Sequence, residues 1–122
     1  MDRFLSPEEV PTSHELAVQQ ALINHTGLPL SSLRFRHVRL PLSELEYHIS
    51  TPEAYLQDGD EAGYGLVMDF ADAYARAEQV PPIICKLEPD GLYELIDGYH
   101  RLAGAAAAEC EQIEVLLAEK LE

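Results

Sequence analysis

Two adjacent prolines, Pro81 and Pro82, constrain this chain more than any other feature. A proline has no amide to donate, and its ring clashes with the preceding turn, so no helix runs through the pair. The segment beyond them reads as extended chain. Ile83-Ile84-Cys85-Lys86-Leu87 is β-like, with Ile83, Cys85 and Leu87 on one face. Glu88-Pro89-Asp90-Gly91 is turn chemistry, because Pro presets φ while Asp and Gly accept tight or left-handed positions. Residues 92–96 then return as the second strand of a hairpin. From Gly98 an alanine-rich helix is predicted to run to Glu109. Residues 112–117 close the chain as a strand in which Ile113, Val115 and Leu117 alternate.

Upstream the signals are weaker. Ser6-Pro7-Glu8-Glu9 has a capping residue, Pro at the first helical position and Glu three residues after the cap, which predicts a short helical turn. Thr12-Ser13-His14-Glu15 repeats the pattern, and a helix is predicted over 13–24. Its apolar face would carry Leu16, Ile23 and the nearby Ala17 and Ala21, with Gln20 in the same row. Gly27 and Pro29 stop it. Residues 33–40 read as a strand on which neither face is cleanly apolar, and Pro41 to Leu45 starts a short helix. Thr51-Pro52-Glu53 signals another helix start, while residues 57–63 read as a loop. Residues 66–79 are predicted as an amphipathic helix with Leu66, Phe70, Tyr74 and Ala77 on one face. Gly104, in mid-helix among alanines, suggests close packing of that helix on the sheet.

Composition narrows the functional classes. With 122 residues the chain has room for one domain and one core. No apolar run reaches the length of a membrane span, and the N-terminus has no basic start followed by an apolar stretch, so the protein is read as cytoplasmic. Cys85 and Cys110 lack zinc-ligand spacing and read as buried or half-buried thiols. Eight Lys and Arg against 22 Asp and Glu give a net charge of −14. Non-specific DNA binding depends on cations that neutralise phosphates, so it is disfavoured here.

Asp97-Gly98-Tyr99-His100-Arg101 is the candidate site. The first amides of a helix have no internal partner and lie at the positive end of its dipole, which suits phosphate. Gly98 removes the side chain that would block close approach. Arg101 is a candidate for a two-pronged grip on phosphate, and Asp97 for a magnesium ion. A structural role is open to each as well: Asp97 as a helix cap, Gly98 as a turn residue, His100 and Arg101 as solvated side chains. Arg34, Arg36 and Arg39, with His37, form the one basic cluster; it could support the phosphate site or simply balance charge. Tyr47, Tyr55, Tyr64 and Tyr74 offer a base-stacking partner, although Tyr74 on an apolar helix face suits the core. Asp58, Asp60 and Glu61 lack the spacing of a calcium loop, and His14, His25 and His48 show no ligand pattern.

The two prolines, the Pro-Asp-Gly turn, the run Leu95-Ile96-Asp97-Gly98-Tyr99-His100-Arg101-Leu102-Ala103 and the final apolar strand resemble the ParB/sulfiredoxin superfamily. The resemblance is firm over 80–117 and weaker over 38–45. It implies a single α/β (α+β) domain, a small mixed sheet with packed helices, over 33–120; residues 1–32, which have no counterpart in that superfamily, read as an N-terminal helical extension. Leu121-Glu122 resembles a pair that commonly precedes a purification tag. The resemblance also implies binding of a nucleotide, ATP or CTP with magnesium, at the Gly-x-His-Arg helix start. Tyr99 stands where sulfiredoxins carry their catalytic cysteine and where partition proteins usually carry glutamate. Neither family reaction is therefore expected, and no partition-type DNA-binding domain follows within the chain. The alternatives are a nucleotide-dependent phosphotransferase, NTPase or nuclease, and a non-enzymatic acidic protein that binds a protein partner or mimics DNA.

Overall fold

A computed structural model describes residues 3–121. Met1, Asp2 and Glu122 lie outside them, so the reading of Leu121-Glu122 falls partly outside as well. Five strands form one mixed sheet: β1 (Arg3–Leu5), β2 (Leu33–Pro41), β3 (Ile83–Leu87), β4 (Tyr93–Asp97) and β5 (Gln112–Lys120), in the order β1-β2-β5-β3-β4. The helices are α1 (Leu16–Thr26), α2 (Pro52–Gln57), α3 (Glu61–Ala75) and α4 (Tyr99–Ala107), with short 3-10 turns between them. The α/β class expected from the sequence is therefore present.

β5 is the centre of the sheet, antiparallel to β2 and parallel to β3. Paired on both edges and covered on both faces, its middle reads as a near-continuous buried run, Val115 to Ala118. Alternation splits its side chains between two cores. Ile113, Val115 and Leu117 join Leu40, Leu45, Ile83, Leu95 and Leu102 on one face. Leu116 and Ala118 join Val18, Leu22, Leu33, Phe35, Ile84 and Ile96 on the other. β2 crosses both, apolar at Leu33 and Phe35 on one face and at Val38 and Leu40 on the other. That crossing is why neither of its faces looks apolar in sequence. Phe35 is fully buried, and its truncation to Ala should cost about 4 kcal/mol.

The structure corrects several local expectations. The N-terminal segment supplies a strand, β1, on the edge of β2, as well as helical turns. α1 turns Val18 and Leu22 to the core, leaving Leu16 73% exposed and Ile23 44%. The helix start expected at Thr12-Ser13 is a 3-10 turn instead, and α1 begins at Leu16. Ser13 is buried in that turn, its hydroxyl 2.8 and 2.7 Å from the carbonyls of Pro7 and Val10. α3 begins inside the expected loop, because Asp60 caps it by accepting from the Gly63 amide at 2.8 Å. Its buried residues are Gly63, Val67 and Ala71, and Leu66 is exposed. Gly63 and Ala71 carry little hydropathy signal, and the α3 backbone at Val67 and Ala71 lies against Gly104 of α4. A Cβ on Gly104 would sit 2.6 Å from the Cβ of Phe70 and 3.0 Å from the α3 backbone. Gly104 therefore serves contact with α3 rather than with the sheet.

Candidate functional site

The hairpin delivers the chain to the site. Its turn forms as its residues predict, with Glu88 donating its amide to the Leu92 carbonyl at 2.8 Å and Asp90 Oδ1 accepting from the Leu92 amide at 3.0 Å. The register between β3 and β4 slips between Ile84 and Cys85, so Asp97 pairs with Ile84 at the start of β3. An irregularity of this kind redirects the strand end. Gly98 then turns the chain with φ +110°, a left-handed conformation that side chains resist. A Cβ there would also lie 2.5 Å from Ile83 Cγ2. Both conditions demand glycine.

Gly98, not Asp97, is the N-cap of α4, and no side chain caps the helix. The first backbone bond of α4 runs from the Leu102 amide to the Gly98 carbonyl at 2.9 Å. The amides of Tyr99, His100 and Arg101 thus have no partner among the described residues. They open on a cleft of about 530 Å³ lined by Glu15, just before α1, and by residues of α3, β4 and α4, including Leu66, Phe70 and Asp97. Leu66, Phe70 and Ile96 give it an apolar wall.

The side chains of the signature face different ways. Arg101 is buried, 7% exposed, and its guanidinium is engaged inside the protein. Its Nη1 donates to the carbonyls of Pro81 and Pro82 at 3.1 and 2.8 Å, and its Nη2 donates to Asp97 Oδ2 at 2.7 Å. Three of its five N–H donors are taken, so the expected two-pronged grip gives way to an internal clamp on the Pro81-Pro82 backbone. Asp97 is correspondingly turned to Arg101 rather than to the helix amides. Among the described residues, no group of three or more His, Cys, Asp or Glu side chains is placed to hold a metal ion. Tyr99 is half exposed and folds its hydroxyl back onto the Leu95 carbonyl at 3.4 Å. The ring of His100 lies 5.4 Å from that of Tyr55 on α2, which brings Tyr55 to the site. Nothing in sequence spacing joins these two residues.

The basic cluster does not reach the cleft. Arg34 and Arg36 pair with Glu119 at 3.4 and 3.1 Å, and Arg39 pairs with Glu114 at 2.8 Å. His37 Nε2 lies 2.9 Å from Glu114 as well. These are cross-strand partners on β5, and they favour the charge-balance reading. Arg34 also sits 4.1 Å over the Phe4 ring. Two other tyrosines are structural: Tyr47 donates to the Tyr93 carbonyl at 2.7 Å, and Tyr74 packs on the core. Cys85 is buried and Cys110 half-buried, as the sequence implied. No helix among the described residues is long and apolar enough to cross a membrane.

Fold and cleft together define a small single-domain α/β protein with an uncapped helix start at its candidate site. No family model and no curated protein matches the sequence. Among solved structures the chain is similar to the crystal structure of sulfiredoxin from Arabidopsis thaliana, with 23% sequence identity and a TM-score of 0.48. The match covers 66% of this chain and 82% of that one. It is a likeness of fold alone and says nothing of reaction or ligand.

Proposed function

We propose that the protein binds a phosphate-bearing ligand, a nucleotide, in the cleft at the start of α4. The observation that carries this reading is the set of three unpartnered amides, Tyr99, His100 and Arg101, at the positive end of a nine-residue helix. Free donors in that position favour phosphate oxygens. Gly98 permits close approach, and the wall of Leu66, Phe70 and Ile96 offers apolar surface to a base or sugar. Arg101 acts at one remove, offsetting the Asp97 charge and fixing the turn. Two carboxylates, Asp97 and Glu15, line the cleft. They suit magnesium carried on the phosphates of a nucleotide, since that ion binds through one or two carboxylates, water and substrate. They do not form a cage for a bare ion.

The test is calorimetric titration of the protein with ATP, CTP and inorganic phosphate, with and without magnesium. Saturable binding of a nucleotide is expected, together with movement of the Tyr99, His100 and Arg101 amide signals from their unbound positions in NMR spectra. Absence of heat and of amide shifts for every nucleotide would refute the proposal.

A further inference from the structure

β3 and β5 separate before either strand ends. Their parallel register runs from Ile83 and Val115 to Cys85 and Leu117. Beyond it, β3 continues to Leu87 paired with β4, and β5 continues to Lys120 paired with β2. The Glu88 amide donates to the Leu92 carbonyl, so by alternation Lys86 bonds toward β4 and Leu87 toward β5. One more step of the parallel ladder would join the Leu87 amide to the Ala118 carbonyl, and the register stops short of it. The fork therefore holds a main-chain donor and a main-chain acceptor that lack their strand partners, and such groups need a partner wherever water is excluded.

The fork opens as a cleft of about 390 Å³, lined by Leu28, Lys86, Leu87, Leu117, Ala118 and Lys120 among others. It shares no lining residue with the cleft at the start of α4. Leu28, Leu87 and Leu117 make its apolar surface, and Leu87 is 44% exposed there. By alternation Lys86 and Lys120 project from the sheet face that carries Ile84 and Leu116. Lys86 Nζ lies 3.1 Å from the His25 carbonyl and 3.3 Å from Glu88, which leaves one of its three donors. Lys120 has no ion-pair partner among the described residues, in a chain with 22 Asp and Glu against eight Lys and Arg. Glu119, the carboxylate of the lining, is turned to Arg34 and Arg36.

Each feature of the fork calls for a different chemical group. An unpaired ammonium calls for an anion, a main-chain donor beside an acceptor calls for an amide, and the leucines call for an apolar side chain. The size of the cleft suits a small molecule. We propose that the fork between β3 and β5 binds a small carboxylate that carries an amide and an apolar side chain, the chemistry of an N-acylated apolar amino acid. The carboxylate meets the Lys120 and Lys86 ammonium groups. The amide takes up the Leu87 amide and the Ala118 carbonyl in place of the missing ladder step, and the apolar side chain lies on Leu28, Leu87 and Leu117.

The probe is N-acetyl-L-leucine, titrated into the isotope-labelled full chain and followed by NMR. Its neutral carboxamide lacks the charge, and isocaproate keeps the carboxylate and the branched apolar tail but lacks the amide. Saturable shifts of the Leu87, Ala118 and Lys120 amide signals are expected, with Kd on the order of 1 mM for a ligand of this size. The Tyr99, His100 and Arg101 signals should stay in place. The carboxamide should bind at least about fivefold more weakly, and isocaproate at least about twofold. Lys120→Gln should weaken binding by about threefold or more, and because Lys120 is exposed its folding should be unchanged. Arg76→Gln, the same charge change at the end of α3, should alter affinity by less than about 1.5-fold. Absence of saturable shifts at the fork up to about 20 mM would overturn the proposal. So would equal affinity for the acid and either analogue, or equal losses in the two charge variants.

Discussion

Arg101 grips Asp97 across one helical turn at 2.7 Å while donating to the carbonyls of Pro81 and Pro82. One guanidinium thus ties the end of β4, the start of α4 and the segment that enters β3. The pair is mostly buried, with the two side chains 9% and 24% exposed. Removing Arg101 would leave a carboxylate and two carbonyls without their donor, the situation in which breaking a buried pair costs most. Arg101→Ala should therefore destabilise the protein by about 3 kcal/mol in urea unfolding. Arg101→Lys should recover only part of this, because an ammonium cannot reproduce the planar fork. An exposed phosphate ligand would behave otherwise, with little change in stability, so an Arg101→Ala loss below about 1 kcal/mol would count against the clamp.

Gly98 should tolerate no side chain. Its φ of +110° acts together with Ile83 Cγ2, which lies 2.5 Å from the position a methyl group would take. Gly98→Ala should cost about 2–3 kcal/mol through backbone strain and overpacking. Thermal unfolding followed by circular dichroism measures it. A change within about 0.5 kcal/mol of zero would mean that the turn relaxes freely.

The stretch from Pro81 to β5 was the most legible part of the sequence because its signals are local. Two prolines, a Pro-Asp-Gly turn and strict alternation fix two strands, and Gly98 marks where the helix starts. Elsewhere the determinants are distant. β1 is three residues whose warrant is pairing with β2. α3 buries Val67 with two small residues, Gly63 and Ala71, whose weak hydropathy leaves Leu66 and Phe70 to mark a different face in the sequence. At the site, Gly98 was readable and the role of Arg101 was not. Its carbonyl partners lie about twenty residues upstream and appear only once β3 and β4 are side by side. The arginines of β2 likewise meet Glu114 and Glu119 through a register that their own segment does not contain.

Gly104→Ala should separate α3 from α4. The added methyl would lie 2.6 Å from the Cβ of Phe70 and 3.0 Å from backbone atoms that cannot rotate away. Helix propensity favours the substitution by about 1 kcal/mol. Overpacking opposes it by about 1–3 kcal/mol, so a net loss is expected. Hydrogen exchange should show the loss concentrated in α3 and α4. A net gain in stability would mean that the two helices slide apart at no cost.

Stability should fall in alkali. Burial, reinforced by Glu94, pushes the Cys85 thiol up from 9.0 to about 12. Burial likewise raises Tyr74 from 10.0 to about 12, against the opposing charge of Arg101. The unfolded chain therefore releases these protons first. Their contribution is fully present below about pH 9 and is lost as pH rises toward 12. Cys85→Ala should lower stability at pH 7 by loss of packing, yet flatten its decline between about pH 9 and 12. Below about pH 8 the native Cys85 should resist a thiol reagent that labels it in denaturant. An unchanged alkaline slope in Cys85→Ala would show that the thiol has no part in the decline.

Glu15 offers a test of cleft electrostatics. It precedes α1, lines the same cleft as Asp97, and has no ion-pair partner among the described residues, whereas Asp97 is balanced by Arg101. A carboxylate near the α4 amides repels a bare phosphate and attracts a magnesium-loaded one. Glu15→Gln should therefore tighten ATP binding in the absence of magnesium by roughly two- to fivefold, the effect of one partly screened charge. With magnesium the gain should shrink or reverse, because the ion loses a carboxylate ligand while the phosphates lose a repulsion. The Glu15 side chain makes no cap bond to α1, so folding should be unaffected. Calorimetry of the variant under both conditions measures the two affinities. Equal affinities for wild type and Glu15→Gln without magnesium would show that the phosphates bind away from Glu15.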